Sequence, residues 1–541
     1  MTDALTPEDP TVTENNEQAA TNAGVARATG VIAAGNISSR VLGLAREIAL
    51  ASLFGASPVL AAFNNAVIIP KTFYDLLIGG HVNSALIPVL SEAEGKQGKT
   101  DFWQLVSVLV SFITVVMSGL TLLLMLFAPQ VVTVMTDPDP SILPQTVTLL
   151  RWIAPALLFL SLFAVLSGTL YALRSFTYPA FAGALFNASI VSITILLSPT
   201  IGIRAAALGW LVGAAAQLML QLPGLRGARL HLTFDWTHPG LRQIGLLYIP
   251  VSFSLVLDTL LLRPFSYQIA NEALETGVVY MVWATTLIQF PQGLVATAIS
   301  IAILPTLSRQ ATEFVNGARE AFKNTLGLGL RLAITLILPA TVGLFVLATP
   351  IVDLLFIHGA ENALQDTTIT VLALRLYLLG LPFAALDLLL IYAFYARQDT
   401  LTPALIGVLS LVVYMVVAVA LVPSIGLFSL MIADSVKHLI HACVSGYILL
   451  RRLGGLGRQD LLSTTLKAGA AALAMGVVGV VLVPTLTEWL PAMGFISEGL
   501  VVAMAGAVCG VVFVGIAYAL NVSELTWVLN AVWRRLRGLT A

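Results

Sequence analysis

Two arginines lie inside the first long apolar stretch of the chain, in the segment Ser39-Arg40-Val-Leu-Gly-Leu-Ala-Arg46-Glu47. A cation near the centre of a bilayer costs a few kcal/mol, so such residues usually face a protein interior or an aqueous cavity. Arg40 and Arg46 are six residues apart, which separates them by about 120° around an α-helix. We interpret them as a substrate contact. The competing interpretation is that they neutralise Glu47 and fix helix packing.

Acidic residues also interrupt the apolar runs of the second half of the chain, at Asp258, Asp387 and Asp434. An intramembrane carboxylate can bind Na⁺ or a proton whose movement is coupled to transport. Asp434 lies three residues before Lys437, however, and an Asp–Lys pair at that spacing is often structural. The sequence leaves both interpretations open for these three candidates.

No catalytic, metal or cofactor motif is present in the sequence. Gly98-Lys99-Thr100 resembles the end of a phosphate-binding loop, but Ala93 stands where the first glycine is required. The two cysteines, Cys443 and Cys509, form no metal-ligand spacing with histidine. The net charge of −1 gives no basic surface for nucleic acid. We therefore predict that the protein is not an enzyme and has no catalytic residues, metal or cofactor.

The composition is that of a membrane protein. Of 541 residues, 58% are hydrophobic and 10% are charged, and the mean hydropathy is +0.93, whereas about a quarter of the residues of a soluble protein are charged. Apolar runs of about 20 residues, long enough to cross a bilayer, recur about fourteen times. We predict an all-α integral membrane protein with about fourteen transmembrane helices. The runs are centred near residues 42, 73, 116, 158, 188, 213, 256, 291, 340, 381, 412, 439, 472 and 509.

The basic residues predict how the chain is oriented in the membrane. They concentrate in alternate connections, and by the positive-inside rule these connections are cytoplasmic, which places both termini in the cytoplasm. Residues 1–27 lack the basic start and apolar core of a signal peptide, so we predict a disordered cytoplasmic tail. The basic connections contain Lys96, Lys99, Arg174, Arg226, Arg229, Arg309, Arg319, Lys323, Arg397, Arg451, Arg452 and Arg458, and the C-terminal segment adds Arg534, Arg535 and Arg537.

An internal repeat divides the chain. Leu150-Arg151, Tyr171-Ala172 and Pro179-Ala180 recur 224 residues later as Leu374-Arg375, Tyr395-Ala396 and Pro403-Ala404. Corresponding segments are six predicted spans apart, so both copies cross the membrane in the same direction, as in some alternating-access transporters. We predict two six-helix lobes at 28–223 and 241–453, a cytoplasmic linker at 224–240, and a two-helix extension with a basic tail at 454–541.

Several short motifs spread over both lobes resemble those of the MurJ/MviN family of lipid II flippases, in the multidrug/oligosaccharidyl-lipid/polysaccharide exporter superfamily. The resemblance implies a fourteen-helix, two-lobe fold. It also implies transport of lipid II, a peptidoglycan precursor, from the cytoplasmic to the outer leaflet of the bacterial cytoplasmic membrane, driven by membrane potential, Na⁺ or H⁺. The motifs are Ser39-Arg40-Val-Leu-Gly43 with Arg46-Glu47, Phe54-Gly55-Ala56, Ala85 to Pro88, Gln221-Leu-Pro223, Phe290-Pro291-Gln-Gly293, and Phe394-Tyr395-Ala-Arg397-Gln398-Asp399 with Thr402-Pro403.

The resemblance also implies roles for individual residues. The arginines and the acid of the family's first helix correspond to Arg40, Arg46 and Glu47. Guanidinium forks suit the pyrophosphate of lipid II, and Glu47 would hold Arg46 between substrate visits. Membrane lipids and other cell-wall synthesis proteins are the further partners implied. The full set of predicted substrate-binding residues is Ser39, Arg40, Arg46, Glu47, Lys71 and Asp75.

The chain departs from the family pattern at two cavity arginines, which are replaced by Tyr74 in the second helix and Thr286 in the eighth. We therefore expect a less positive cavity, for which Lys71 or Arg263 could compensate. Three hypotheses stay open. The chain flips lipid II, or it exports another lipid-linked oligosaccharide or amphipathic molecule, or it is a non-transporting homologue that acts as a scaffold in the cell envelope.

Overall fold

The structure is a computed structural model that describes residues 10–77, 86–87, 89–93, 99–312, 319–357, 363–456, 459–490 and 494–526. Within these ranges, side chains are described from residue 30 onward, except at 99, 247, 249–255, 257, 258 and 363. Helices satisfy their backbone hydrogen bonds internally, which hydrocarbon requires. The helices are α1 (Pro10–Phe54), α2 (Pro58–Leu77), α3 (Lys99–Leu126), α4 (Ala128–Met135), α5 (Leu143–Ile153), α6 (Ala156–Ala172), α7 (Thr177–Ile201), α8 (Arg204–Met219), α9 (Pro239–Val256), α10 (Arg263–Ala273), α11 (Gly277–Pro291), α12 (Ala298–Thr312), α13 (Arg319–Val346), α14 (Ala348–Phe356), α15 (Ala363–Leu378), α16 (Leu381–Ala396), α17 (Leu401–Ile425), α18 (Phe428–Leu453), α19 (Leu461–Trp489) and α20 (Phe495–Ala519).

Each predicted membrane segment has its centre inside one of these helices. In the part of the chain that the structure describes, nine helical spans are long and apolar enough to cross a membrane, and a pair bent by 41° (Leu364–Leu378 with Leu381–Ala396) raises the number to ten. The other four predicted segments lie in α1, α2, the α9–α10 region and α18. These helices carry every candidate site residue except Asp387. The charges that make them candidates also lower their hydropathy.

The internal repeat is visible in the backbone. Both α7 and α17 are 25 residues long, and they begin 224 residues apart. Each ends at a glycine with positive φ, +59° at Gly202 and +52° at Gly426, a conformation that only glycine adopts without a Cβ penalty. The turns before the two helices match as well, because Arg174 and Gln398 have φ values of 57° and 58°. The two halves therefore follow the same local path.

The repeat-related arginines Arg151 and Arg375 have the same role. Each donates its Nε–H to a backbone carbonyl at the end of a preceding helix, to Met125 in one half and to Phe345 in the other, both over 3.2 Å. The last carbonyls of a helix have no partner within the helix. These two arginines therefore cap α3 and α13.

The linker predicted at 224–240 contains an extended segment that lies along α3. The backbone N–H groups of His231 and Thr233 donate to the hydroxyls of Ser107 and Ser111, over 3.2 and 3.0 Å. The alternate residues of the segment, Leu230, Leu232, Phe234 and Trp236, are exposed. The segment is therefore amphipathic, with its polar groups paired to α3.

The chain packs as two compact units, each drawn from several stretches of sequence. The first comprises residues 1–46, 70–128 and 148–252, and the second comprises 47–69, 129–147 and 253–541. The domain boundaries given above follow the sequence repeat and stay predictions. Of the predicted terminal segments, 1–9 and 527–541 lie outside the described residues, and α1 begins at Pro10.

Candidate functional site

Small residues bring α1 and α7 into close contact in the first unit. A Cβ on Gly35 would lie 2.1 Å from the carbonyl oxygen of Ala180, and a Cβ on Gly183 would lie 2.5 Å from the Oγ of Ser39. Gly35 and Ser39 are one helical turn apart, so they lie on the same stripe of α1. Small residues at such spacing allow membrane helices to approach closely. The predicted site residue Ser39 therefore lies in a helix interface.

Asn187 of α7 links two parts of the predicted site. Its Oδ1 accepts a hydrogen bond from Nη1 of Arg46 over 3.0 Å. Its Nδ2 donates to the carbonyl oxygens of Ser39, over 3.1 Å, and of Gly183 in its own helix, over 3.0 Å. The amide thus sets the direction of the Arg46 guanidinium relative to α1. Sequence reasoning missed Asn187, although an amide inside the apolar run of α7 was a usable signal.

The other ionisable residues of α1 differ in burial. Arg40 is half-buried, and Glu47, in the second unit, is only 5% exposed. The Tyr267 hydroxyl of α10 lies within electrostatic range of both Glu47 and Arg263. The structure therefore brings Arg263, the predicted compensating cation, into the same electrostatic neighbourhood as Glu47.

The candidates on α2 lie in the first unit, near its end. Lys71 is exposed, and Asp75 is half-buried within electrostatic range of Tyr74. On α11, which belongs to the second unit, the Thr286 hydroxyl donates to the carbonyl of Val282, one turn earlier, over 2.9 Å. Thr286 therefore satisfies its hydroxyl within its own helix, and neither it nor Tyr74 supplies the cation that the resemblance implies.

A pair of buried amides joins α2 to α10 inside the second unit. Asn65 donates to Asn271 over 3.1 Å, and Asn271 donates back over 2.9 Å. Asn271 also donates to the carbonyl oxygen of Thr136 over 2.6 Å. A buried amide that loses its partner incurs a desolvation penalty of about 1–3 kcal/mol. We call the contacts among Asn65, Asn271 and Thr136 the polar lock. Because breaking it would leave buried amides without partners, it opposes separation of the segments that carry these residues.

Two further contacts extend the polar lock. Nε2 of Gln268 donates to the carbonyl of Val134 over 2.6 Å, and the Ser141 hydroxyl donates to Glu275 over 3.0 Å. By sequence, α2 and residues 129–147 belong to the first repeat, whereas α10 and Glu275 belong to the second. The polar lock thus connects the two repeats within one packed unit.

The acids of the second lobe have different surroundings. Asp387 of α16 contacts the His441 ring of α18, and Asp434 forms an ion pair with Lys437 over 2.5 Å. The side chain of Asp258 lies outside the described residues. No cluster of three or more potential metal ligands occurs in the part that the structure describes.

The motif around Asp399 has a structural role at the start of α17. Asp399 accepts hydrogen bonds from the backbone N–H and the hydroxyl of Thr402, over 3.0 and 2.6 Å, and from Arg452. Partial burial alone would raise the pKa of Asp399, but these hydrogen bonds and the Arg452 charge outweigh it and lower the pKa. The ionised carboxylate thus fixes the connection between α16 and α17 to the end of α18.

Comparison with known proteins identifies the family. The sequence profile described as "Lipid II flippase MurJ" matches residues 50–498. The chain belongs to this family. A lipid II flippase MurJ of Burkholderia cenocepacia is 30% identical over 434 residues, covering 78% of this chain and 82% of the relative. A probable lipid II flippase MurJ of Haemophilus influenzae is 29% identical over 482 residues, covering 83% and 91%.

Solved structures agree on the fold. A lipid II flippase MurJ in an inward closed conformation superposes with a TM-score of 0.73 at 21% identity, over 89% of this chain and 98% of that one. An inward-facing MATE multidrug transporter of the MOP superfamily gives 0.66 at 16% identity, over 78% and 96%. The predicted all-helical, multi-pass membrane fold is therefore confirmed.

Membership in the MurJ family shows that the protein is a transporter, but it does not assign roles to individual residues. The family is one of transporters, so the prediction that the chain is not an enzyme is confirmed. The matched range begins at residue 50, however, and therefore does not include Arg40, Arg46 or Glu47. The substrate-binding and ion-coupling residues stay predictions.

Proposed function

We propose that this chain moves lipid II from the cytoplasmic to the outer leaflet of the bacterial cytoplasmic membrane by alternating access. Membership in the MurJ family supports the cargo and the direction. The observation that carries the site assignment is the hydrogen bond between Arg46 and Asn187, which orients a half-buried cation at the α1–α7 contact. The basic connections support an orientation with both termini in the cytoplasm.

Arg46 is the first contact for the pyrophosphate of lipid II in this proposal. Asn187 accepts a hydrogen bond from one guanidinium nitrogen and, as a neutral amide, contributes no charge of its own. Arg40, about 120° away on the same helix, supplies a second cation. Ser39 acts through its carbonyl, which holds the Asn187 amide, while Lys71 and Asp75 of the same unit adjust the charge around it and Glu47 stays a predicted member of the site.

The polar lock supports alternating access. It joins segments of the two sequence repeats near connections that carry Asp137, Asp139 and Glu275, which the positive-inside rule places on the outer side. Opening of that side requires the Asn65–Asn271 pair and its neighbouring hydrogen bonds to break. In this proposal, the Asn65–Asn271 pair acts as an outer gate, which opens when these hydrogen bonds break.

A second candidate is the export of another lipid-linked pyrophosphate oligosaccharide. Tyr74 and Thr286 favour it, since the hydroxyl of Thr286 is satisfied within α11 and no guanidinium is present at either position. A cavity with fewer cations suits a head group of lower or differently placed charge.

Complementation tests the proposal. The chain is expressed in a bacterium whose own essential lipid II flippase is depleted, and the purified protein is assayed for lipid II flipping in liposomes. We expect growth and flipping with the wild type and with Arg204→Ala, a matched change at an exposed arginine, and neither with Arg46→Ala. If a well-inserted wild-type chain fails both assays, the lipid II assignment is wrong. Flipping of another polyprenyl-linked oligosaccharide then supports the second candidate, and no flipping supports a scaffold.

A further inference from the structure

A buried acid–histidine pair lies between α16 and α18, within the second unit. Asp387 is 6% exposed and His441 is 8% exposed. The carboxylate of Asp387 contacts Nδ1 of His441, and the Oγ of the fully buried Ser445 lies 3.2 Å from the same nitrogen. A histidine placed against a carboxylate inside a lobe is suited to accept and release a proton.

The charged neighbours of this pair lie on α18. Asp434 pairs with Lys437 over 2.5 Å, and Nε2 of His438 lies 3.7 Å from Asp434. His438 is also within electrostatic range of Asp387 and His441. Lys437 lies over the ring of Tyr414. Several tyrosines surround the acids. Tyr377 and Tyr414 lie within electrostatic range of Asp434, and Tyr395 lies within range of Asp387. Tyr267 and Tyr392 are neighbours of these tyrosines.

Several charged groups on helices that pack on α16 and α18 have partners outside the cluster or are exposed. Arg331 of α13 pairs with Glu524 over 2.6 Å, and Arg375 of α15 caps the carbonyl of Phe345. Asp366 of α15 accepts from Tyr280 over 2.6 Å, and Arg309 of α12 is exposed. Among the described side chains, the cluster consists of Asp387, Asp434, Lys437 and the two histidines, and Arg263 of α10 lies within electrostatic range of the neighbouring Tyr267.

For these five side chains to carry no net charge, one proton has to be added. With both histidines neutral, two carboxylates face one ammonium and the cluster has an excess negative charge. A buried net charge is strongly disfavoured in a low-dielectric interior. One added proton makes the cluster neutral. His441 is its natural carrier, because it contacts the Asp387 carboxylate directly, and the lysine of this cluster pairs with Asp434 instead.

We propose that Asp387 and His441 form a proton-binding site, and that loading and release of one proton there is linked to transport of the lipid cargo. The inference rests on the proposed function and names its coupling ion. In the loaded state the proton makes His441 an imidazolium beside the Asp387 carboxylate. In the released state the proton returns to water and His441 is neutral. Na⁺ fits this site less well than a proton, because hard cations prefer oxygen donors to an imidazole nitrogen.

The first experiment uses no cargo. The protein, labelled with ¹⁵N-histidine and held in lipid nanodiscs, is titrated by NMR, and the ring signals of its six histidines are followed. We expect one buried ring that exchanges slowly with water, absent in His441→Gln and altered in Asp387→Asn. His231→Gln, a matched change outside the cluster, keeps that signal. If the titrations of wild type and His441→Gln differ only by one ordinary exposed histidine, the proposal is overturned, whatever the flipping assay shows.

The second experiment measures lipid II flipping in liposomes under an imposed pH difference. One coupled proton changes the driving force by at most about tenfold per pH unit. We expect a several-fold response in the wild type and in His231→Gln, and none in His441→Gln or Asp387→Asn. Two conservative variants are used so that misfolding of one, monitored by its thermal melting, does not decide the result. An unchanged response in both, or a response only to a Na⁺ gradient, overturns the proposal. A wild type that does not flip lipid II at all counts against the proposed function, while the NMR titration still decides the proton site.

Discussion

The α1–α7 contact and the α16–α18 contact both bury polar side chains between membrane helices, but they differ in the residues that face each other. An arginine meets an amide in the first, and a carboxylate meets a histidine in the second. At α1–α7, a neutral amide holds the guanidinium of Arg46. At α16–α18, Asp434 pairs with Lys437, and Asp387 contacts the ring of His441. An amide orients a guanidinium without adding charge to the interface, whereas a carboxylate–histidine contact can gain or lose one proton.

The difference separates two functions that share one fold. The first contact is suited to a multivalent anion such as a pyrophosphate. The second is suited to a small change of charge, such as the gain of one proton. At the 224-residue offset, Asn187 corresponds to Leu411, while Asp387 and His441 correspond to Phe163 and Gln217, so the repeats share a backbone path but not these polar residues.

The largest expected effect is loss of the charge at the first contact. Arg46→Ala removes the guanidinium, and we expect a fall in flipping rate of about 100-fold or more, since contacts with charged groups contribute about 1.5–3 kcal/mol each. Arg46→Lys keeps the charge but not the bidentate geometry and should retain part of the rate. The flipping rate of each protein is measured as the initial rate in liposomes, normalised to the amount of inserted protein. Equal rates for all three proteins would mean that the arginine is structural.

A smaller effect is expected when the partner of Arg46 is changed. Asn187→Ala loses the orienting hydrogen bonds and should slow flipping by about tenfold, the equivalent of one net hydrogen bond. Asn187→Asp places a carboxylate against the Arg46 guanidinium and offsets its positive charge. We expect this variant to flip lipid II more slowly than Asn187→Ala. Ser189→Ala, on the same helix, is the control because its hydroxyl bonds only within α7. A rate for Asn187→Asp at or above that of Asn187→Ala would contradict the comparison.

Packing at the two contacts should respond differently to an added methyl group. Gly35→Ala places a Cβ against the carbonyl of Ala180 at 2.1 Å, whereas Gly446→Ala places one 3.8 Å from a Leu390 methyl, an ordinary contact. Overpacking typically costs about 1–3 kcal/mol. We therefore expect a clear drop in melting temperature for Gly35→Ala and little change for Gly446→Ala. The reverse order would show that α1 and α7 are less closely packed than the structure indicates.

The smallest expected effect concerns Asp399. Its pKa is lowered in the folded protein, so its ionised form stabilises the fold above the pKa of the unfolded chain, and this stabilisation is lost as the pH falls through the folded pKa. Because Asp399 and Arg452 are both partly exposed to solvent, which screens their interaction, we expect less than about 1 kcal/mol. Melting at pH 7 and pH 3 should show a difference that Asp399→Asn reduces. An unchanged pH dependence in that variant would contradict the assignment.

The fold was largely predictable from the sequence, because helix periodicity and the 224-residue repeat are properties of the chain itself. The partners at the sites were not. Arg40 and Arg46 were recognisable from the cost of burying a cation, but Asn187 is 141 residues from Arg46, and His441 is 54 residues from Asp387. Such pairs are set by how helices pack, and helix periodicity specifies only which residues share a face. The isolated polar residues in apolar runs were the available signal.

The buried amide pair of Asn65 and Asn271 also has a consequence for biosynthesis. The two residues are 206 positions apart, so at a translation rate of about 5–20 residues per second, Asn65 is made roughly 10–40 s before its partner. During that interval the nascent α2 carries amides that cannot yet be satisfied by α10. The hydrogen bonds of this pair can therefore form only after α10 has been synthesised, so the packing of α2 in the second unit is completed late.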